Sequence, residues 1–142
     1  MRSFLILFCA AAVLFCASAS ANAAQLVARI DVSQQIMTVS YGGEVLHNWV
    51  VSTGRKGFNT PRGAWRPQRM HTMWYSRKYD NAPMPYSVFF TGGYAVHGTS
   101  KVKALGRPAS HGCVRLQTKN AARFYALVEQ VGRKNTRIII SN

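Results

Sequence analysis

The chain has 142 residues and carries 18 Lys and Arg against 4 Asp and Glu, which gives a formal net charge of +14. A field of this sign favours polyanionic partners. The basic residues are scattered from Arg29 to Arg137 rather than clustered in an arm or along one helix, which argues against nucleic-acid binding. An anionic surface outside the cytoplasm, such as a cell envelope, fits the charge better. Alternatively, the basic residues only keep the surface of the domain solvated and bind no specific partner.

The N-terminal segment has the layout of a secretory signal peptide. Arg2 precedes an apolar run at residues 4–15, which is shorter than the roughly 18 to 20 residues that a membrane-spanning helix needs. Small residues follow, with an A-x-A pattern at residues 21–23. We therefore predict a signal peptide at residues 1–23, export to the periplasm or cell envelope, and one domain at residues 24–142 without a further membrane span. A retained anchor is the alternative for the first segment.

After this segment, short apolar runs alternate with turns, which is typical of β-structure. Gly42-Gly43 predicts a hairpin turn, and residues 53–63 predict a loop. The proline-containing stretch 82–85 is expected to break regular structure. The predicted strands share β-branched, aromatic or alternating composition and lie at residues 25–32, 35–41, 44–52, 69–76, 86–91 and 94–97.

One helix is predicted near the C-terminus. Thr118 is its expected N-cap and Gly132 its expected end. A strand follows at residues 136–141. The predicted fold is therefore mainly β, a sandwich or open barrel with one helix near the C-terminus. The apolar residues that follow helical spacing are Phe124, Leu127, Val128 and Val131.

Removal of the signal peptide would leave Cys113 as the only cysteine, so no disulfide could form within the domain. A lone thiol in an oxidising compartment is open to mispairing and oxidation, which favours a reactive role for it. Cysteine reacts as the thiolate, and its free pKa is about 8.5, so it needs a base or a positive neighbour. The candidates are His97, His111 and Arg115.

His97 is the favoured base because it lies at the end of a predicted strand, where a rigid element can orient it. His111 is nearer in sequence, but residues i and i+2 of an extended chain lie about 6.5–7 Å apart. The base also needs an acceptor for its other ring nitrogen, and with so few acidic residues a backbone carbonyl is expected. Gly112 lets the backbone approach a substrate closely, so the amides around Gly112 and Cys113 are candidates for an oxyanion hole.

Two other interpretations of these residues stay open. A zinc site would use His97, His111 and Cys113, although their spacing lacks the paired ligands of common zinc motifs. Alternatively, the cysteine is structural and the histidines are packed in the core. His47 and His71 have no comparable neighbours and are predicted to be strand residues that face solvent or core.

Three segments resemble a known family. His97-Gly98-Thr99, followed by LGRPASHGCVRL at residues 105–116, resembles the signature of the L,D-transpeptidase catalytic domain, the YkuD-like family. Residues 30–54 are similar to the opening hairpins of that family, and NTPRGAW at residues 59–65 is similar to its TPxGxW/F loop. The resemblance covers nearly the whole chain after the signal segment, and the histidine followed by SHGC is its specific part.

The resemblance implies a role for each matched position. Cys113 matches the nucleophile, His97 the proton donor and acceptor, and the Gly98 carbonyl the group that orients this base. The positions that shape the pocket and the oxyanion hole are matched by Ser110, His111 and Gly112. Arg115 stands where many members have asparagine, and its binding to a substrate carboxylate is a hypothesis. The family implies a β-rich sandwich that needs no metal or other cofactor.

The substrate that the resemblance implies is peptidoglycan. Cys113 would attack the carbonyl between meso-diaminopimelate and the terminal D-alanine of a tetrapeptide stem. Transfer to a stem-peptide amine would give a 3→3 cross-link, and transfer to an amine of an envelope protein would attach that protein. The alternatives are hydrolysis, as an L,D-carboxypeptidase or amidase, and a non-catalytic peptidoglycan-binding module. Nucleic acid is not an expected partner.

Overall fold

The computed structural model describes residues 25–142, so the predicted signal peptide lies outside the described residues. The described chain forms two mixed β-sheets and one α-helix, which confirms the predicted mainly β class. Within residues 25–142, no helix is both long enough and apolar enough to cross a membrane. The elements in chain order are β1 (Leu26–Asp31), β2 (Ile36–Tyr41), β3 (Glu44–Val50), β4 (Gly63–Trp65), β5 (Arg69–Ser76), β6 (Ala82–Thr91), β7 (Tyr94–Thr99), β8 (Val114–Gln117), α1 (Thr118–Val131) and β9 (Thr136–Ser141).

The two sheets differ in size and each contains one parallel pair. The five-stranded sheet has the order β3-β2-β1-β9-β4, and the four-stranded sheet has the order β5-β6-β7-β8. Strand β1 pairs parallel with β9, and β7 pairs parallel with β8. A parallel pair needs a crossover connection, and residues 100–113 supply it between β7 and β8. The SHGC motif is the last part of this crossover, so it directly precedes the edge strand β8. That strand pairs with β7, which contains His97.

The main core lies where the two sheets and the helix meet. Strand β1 turns Leu26, Ala28 and Ile30 into this core, as their alternation in the sequence predicts. Helix α1 buries Phe124 and Val128, two of the residues whose spacing predicted it. Burial of apolar surface at about 25 cal/mol per Å² is the main force holding these layers together. The four-stranded sheet contributes Val88, Phe90, Val96, Val114 and Leu116 to the same cluster.

The stretch 82–85 does not break the sheet, so that prediction was wrong. These residues begin β6 and pair with β5, with Pro83 opposite Tyr75 and Pro85 opposite Met73. Strand β7 pairs only with the later part of β6, from Val88 onward. The prolines therefore lie where β6 has a partner on one side only, which is where a sheet tolerates proline.

The helix and loop boundaries also differ from the prediction. Thr118 is the first helical residue and Gln117 is the N-cap, so the predicted cap is wrong by one residue. The Thr118 hydroxyl donates to the Thr99 carbonyl at 3.4 Å instead of capping the helix. The helix ends as predicted at Gly132, whose N–H donates to the Val128 carbonyl. The predicted loop at residues 53–63 gives way to the short strand β4 at its last residue.

Candidate active site

One face of the β7–β8 pair packs in the core, and the opposite face lines a cleft. In the parallel register, Val96 lies opposite Val114 and His97 opposite Arg115. The two valines are buried in the main core. Since side chains alternate along a strand, His97 and Arg115 point to the other face, together with Cys113, two residues before Arg115. Strand pairing thus places the predicted base and nucleophile on one face of the sheet.

His97 is held in one tautomer by its own strand. The side chain is 5% exposed, and Nδ1 lies 2.7 Å from the Gly98 carbonyl oxygen. A carbonyl only accepts, so Nδ1 carries the hydrogen and donates it, which leaves the Nε2 lone pair free. Burial lowers the pKa of His97 to about 4, the hydrogen bond to Gly98 opposes this, and the charge of Arg115 adds to it. The imidazole is therefore neutral at pH 7.

Gly98 allows the strand to pass close to the start of α1. A Cβ added at Gly98 would lie 2.9 Å from the Cα of Thr118 and 3.1 Å from Cγ of Pro85. The nearest of these atoms belongs to backbone, so a larger residue would have to displace the helix or the strand. The sequence prediction placed the strand end at His97, but pairing with β8 extends β7 to Thr99. The carbonyl that accepts from His97 therefore belongs to a residue fixed within the strand.

Cys113 lies at the entrance to β8 and is partly buried. Its Sγ makes a weak contact of 3.9 Å with the Gly93 carbonyl oxygen. Burial raises the pKa of the Cys113 thiol, while the Ala95 backbone amide and the charge of Arg115 lower it. The thiol is therefore protonated at pH 7. The side chain packs, as Trp74 does, against a small apolar cluster of Met84, Phe89 and Ala95.

The loop that carries the SHGC motif is fixed by the segment after β3. The Ala109 and Ser110 amides both donate to the Thr53 carbonyl at 2.9 Å, and the Arg55 amide donates to the Ser110 carbonyl at 3.0 Å. Thr53 is fixed in turn by Gln35, whose side-chain oxygen accepts from the Thr53 amide at 3.0 Å. Both of these side chains are buried. A chain of buried hydrogen bonds thus connects the five-stranded sheet to the loop before Cys113.

Ser110 and Gly112 shape the backbone at the thiol. The Ser110 hydroxyl donates to the Cys113 carbonyl at 2.6 Å and accepts from the Gly112 amide at 3.0 Å. Gly112 has φ +116°, which L side chains rarely adopt, and an added Cβ would lie 2.4 Å from Cε1 of Tyr94. Only glycine meets both demands at this position.

His111 has a different environment from His97. Its ring stacks on Tyr79 with a centroid distance of 4.1 Å and an interplanar angle of 10°. Phe58 contacts the same ring edge-on at 4.9 Å. Desolvation and the charges of Arg55 and three other cations lower the pKa of His111. His111 therefore joins the 3₁₀ turn Arg77–Tyr79 to the loop that contains Phe58.

Cys113 opens into a cleft of about 620 Å³. The predicted site residues His97, His111 and Arg115 line it, whereas Ser110 and Gly112 are buried and do not. A smaller cleft of about 340 Å³ also reaches Cys113 and His111. In the described chain, His97, His111 and Cys113 do not form a group that could hold a metal ion, so the geometry gives the zinc interpretation no support.

The sequence did not identify several residues of the cleft. Tyr79 and Lys78 come from the turn between β5 and β6, and Tyr94 packs behind Gly112. No local pattern marks them, because they approach Cys113 only through strand pairing. His47 and His71 lie in strands, as predicted. They contact Trp49 and Trp74, respectively.

The fold is similar to solved L,D-transpeptidases. An L,D-transpeptidase from Mycobacterium smegmatis is 28% identical with a TM-score of 0.74, and the match covers 84% of this chain and 59% of that one. One from Stackebrandtia nassauensis is 26% identical with a TM-score of 0.72, covering 83% and 56%. LdtMt1 in complex with imipenem is 25% identical with a TM-score of 0.74, covering 83% and 59%. The chain thus spans less than two thirds of the length of these structures.

The two sequence comparisons gave different results. No curated protein matches the chain by sequence. The family model described as YkuD, L,D-transpeptidase catalytic domain, matches residues 25–140, which is nearly all of the described chain. The chain therefore belongs to the L,D-transpeptidase catalytic domain family.

Proposed function

We propose that this protein is a cell-envelope L,D-transpeptidase in which Cys113 is the nucleophile and His97 the proton donor and acceptor. The observation that carries the proposal is the β7–β8 register, which sets a partly buried thiol and a buried imidazole of fixed tautomer on one cleft face. Membership in the family supports the same chemistry.

The proposed acylation starts from a neutral pair. Because burial raises the pKa of Cys113 and lowers that of His97, the thiol keeps its proton until a carbonyl is in place. His97 Nε2 then takes the Sγ proton as sulfur bonds to the carbonyl carbon between diaminopimelate and D-alanine. The carbon–nitrogen bond breaks, the proton passes from Nε2 to the amine of D-alanine, and a thioester remains on Cys113.

The developing oxyanion is assigned to the backbone amides at Gly112 and Cys113. The Gly112 amide would exchange its present acceptor, the Ser110 hydroxyl, for the oxyanion. The Ser110 hydroxyl takes no part in proton transfer; it donates to the Cys113 carbonyl and so fixes the backbone at the nucleophile. His111 and Arg115 are assigned to the substrate-binding wall, where both line the cleft.

The second half of the reaction releases the acyl group to an amine. His97 accepts a proton from the attacking nitrogen, the thioester carbon–sulfur bond breaks, and the sulfur recovers its proton. A stem-peptide amine gives a 3→3 cross-link, and an amine of an envelope protein attaches that protein to the wall. The predicted signal peptide at residues 1–23 and the net charge of +14 support action at an anionic envelope.

The test is formation of a thioester at Cys113. We expect the purified protein to gain the mass of imipenem, the ligand bound in the related LdtMt1 structure, and a Cys113→Ala variant to gain none. A folded protein that forms no adduct would contradict the catalytic proposal and favour a binding module. Tetrapeptide muropeptides then separate the two reactions, because 3→3 dimers require transpeptidation and tripeptides alone require hydrolysis.

A further inference from the structure

One short segment of the chain, residues 51–55, holds the backbone on both sides of Cys113. Before the nucleophile, the amides of residues 109–110 both donate to a carbonyl of this segment at 2.9 Å. After it, Ser52 and Arg115 exchange two backbone hydrogen bonds of 3.0 and 2.8 Å, which form an antiparallel bridge. Movement of the segment would therefore move the nucleophile and the amides beside it.

Gln35 fixes the middle of this segment. It lies in the turn between β1 and β2 and is only 3% exposed. Its side-chain nitrogen donates to Thr53 Oγ1 at 2.6 Å and to the Val32 carbonyl at 2.8 Å. Its side-chain oxygen accepts from the Thr53 amide at 3.0 Å, and its backbone carbonyl accepts from the Val51 amide at 2.9 Å. Both hydrogens of the side-chain amide are thus used, and two atoms of Thr53 are held.

The backbone of Gln35 has a conformation that this residue type rarely adopts. Its φ is +54°, in the left-handed region that favours glycine, asparagine and aspartate. Glycine would make the turn without steric cost, but it could not make the three side-chain hydrogen bonds. The strained backbone is therefore explained by what the side chain holds, and not by the turn alone.

Resting on the proposed function, we infer that Gln35 is a positioning residue for the oxyanion hole. Gln35 is not among the described residues that line either cleft at Cys113, so it acts through other residues. Thr53 connects it to Ser110, because the Thr53 carbonyl accepts from the Ser110 amide. The Ser110 hydroxyl in turn contacts the Gly112 amide and the Cys113 carbonyl. The amides assigned to the oxyanion thus depend for their position on a turn of the five-stranded sheet.

The experiment compares two reactions of Cys113 that differ in their need for the oxyanion hole. Acylation by imipenem develops an oxyanion, whereas alkylation by iodoacetamide displaces iodide from carbon and develops none. Both reactions require the sulfur to lose its proton. The two rates are measured by intact-protein mass spectrometry on the full-length protein and its variants. A residue that positions the backbone amides should affect the first reaction and spare the second.

Gln35→Met is the main variant, because methionine has a similar length and volume but makes none of the three side-chain hydrogen bonds. We expect acylation to slow by about tenfold to a hundredfold, the order of effect for a displacement of about 1 Å at a catalytic group. Alkylation should be no slower than in the native protein. The matched control is Gln34→Met, the same substitution at the exposed neighbouring position of the turn, which should leave both rates unchanged.

Gln35→Glu tests whether the contacts with Thr53 are responsible. A carboxylate can accept from both the Thr53 amide and the Thr53 hydroxyl, and it loses only the contact with the Val32 carbonyl. Gln35→Glu should therefore be acylated faster than Gln35→Met. A residue that only stabilises the fold would give the reverse order, because a buried carboxylate costs more than a buried thioether.

The outcomes separate this inference from the function on which it rests. Equal slowing of both reactions in Gln35→Met, or slowing of neither, would overturn the positioning role and leave the transpeptidase proposal standing. If Gln35→Met does not fold, Thr53→Val removes a single contact and should show the same selective slowing to a smaller degree; unchanged acylation in it would also overturn the role. Absence of an imipenem adduct in the folded native protein would instead overturn the proposed function.

Discussion

Strand β7 and the loop at residues 105–112 both bring a histidine to the cleft, but they hold it by different means. His97 is 5% exposed and donates through Nδ1 to a carbonyl of its own strand. His111 is partly buried, and its ring is packed against Tyr79 and Phe58. A general base needs a fixed tautomer with a free lone pair, whereas aromatic packing needs only a flat ring. The comparison therefore supports the proposal that His97 transfers the proton and that His111 has a positioning role.

Replacement of the strand histidine should have the largest effect. We expect His97→Ala to lower the rate of acylation by imipenem at pH 7 by about 10²–10⁴, since it removes the proposed base for the Cys113 proton. The rate is followed by intact-protein mass spectrometry under single-turnover conditions. If His111→Ala were inactive while His97→Ala kept full activity, the two roles would have to be exchanged.

Burial of His97 also predicts a pH dependence of stability. Its folded pKa of about 4 lies below the ordinary value of 6.5, so between these values the unfolded chain binds a proton that the folded chain does not. The contribution, about 3 kcal/mol, is fully present above pH 6.5 and is lost as pH falls towards 4. Urea unfolding at several pH values should show this slope in the native protein.

A His97→Gln variant is the control for this slope. Glutamine can still donate to the Gly98 carbonyl but does not titrate, so its free energy of unfolding should change much less between pH 6.5 and 4. The pKa of Asp31 is also lowered, from 3.8, by the Ser33 and Gln34 hydrogen bonds, so its contribution is lost only at still lower pH. Equal slopes in the two proteins would show that His97 is not desolvated.

The close approach at Gly98 gives the next largest effect. Gly98→Ala places a Cβ against the Thr118 backbone, so β7 has to shift together with the carbonyl that orients His97. We expect acylation to slow by about tenfold to a hundredfold, because a displacement of about 1 Å at a catalytic group costs on that order. A matched control is Ala126→Gly on the exposed face of α1, which costs about 1 kcal/mol of stability. Similar slowing in that control would mean that stability, and not orientation, is responsible.

The sequence predicted the parts of this molecule that depend on local periodicity. Alternation in β1 and helical spacing in α1 follow from which face of each element is buried, and both are visible in a short window. That His97 and Cys113 line one cleft could be anticipated, because a lone reactive thiol requires a base. The part of the cleft wall that Tyr79 and Lys78 form could not be anticipated from the sequence. It depends on how β5 and β6 pair and on where that pairing places the turn between them. The strand position of Pro83 depends in the same way on which side of β6 has a partner.

The smallest effect is expected at the loop histidine, and it tests what holds the turn Arg77–Tyr79 over the cleft. The stack of His111 on Tyr79 should contribute about 0.5–1.5 kcal/mol, the range for aromatic pairs. His111→Ala and Tyr79→Ala should each raise KM for a tetrapeptide donor by about two- to tenfold and change kcat little. The double variant should be no worse than either single one, because both substitutions remove the same contact.

His111→Phe separates packing from imidazole chemistry. Phenylalanine keeps a flat ring against Tyr79 but has no nitrogen to exchange protons or to donate a hydrogen bond, so it should restore KM close to the native value. A His111→Phe variant as impaired as His111→Ala would show that a ring nitrogen of His111 is needed. That result would contradict the hypothesis that only His97 takes part in proton transfer. If His111→Phe recovers the native KM and His97→Ala is inactive, proton transfer belongs to His97 on β7. The loop that carries His111 then has only a structural role at the cleft.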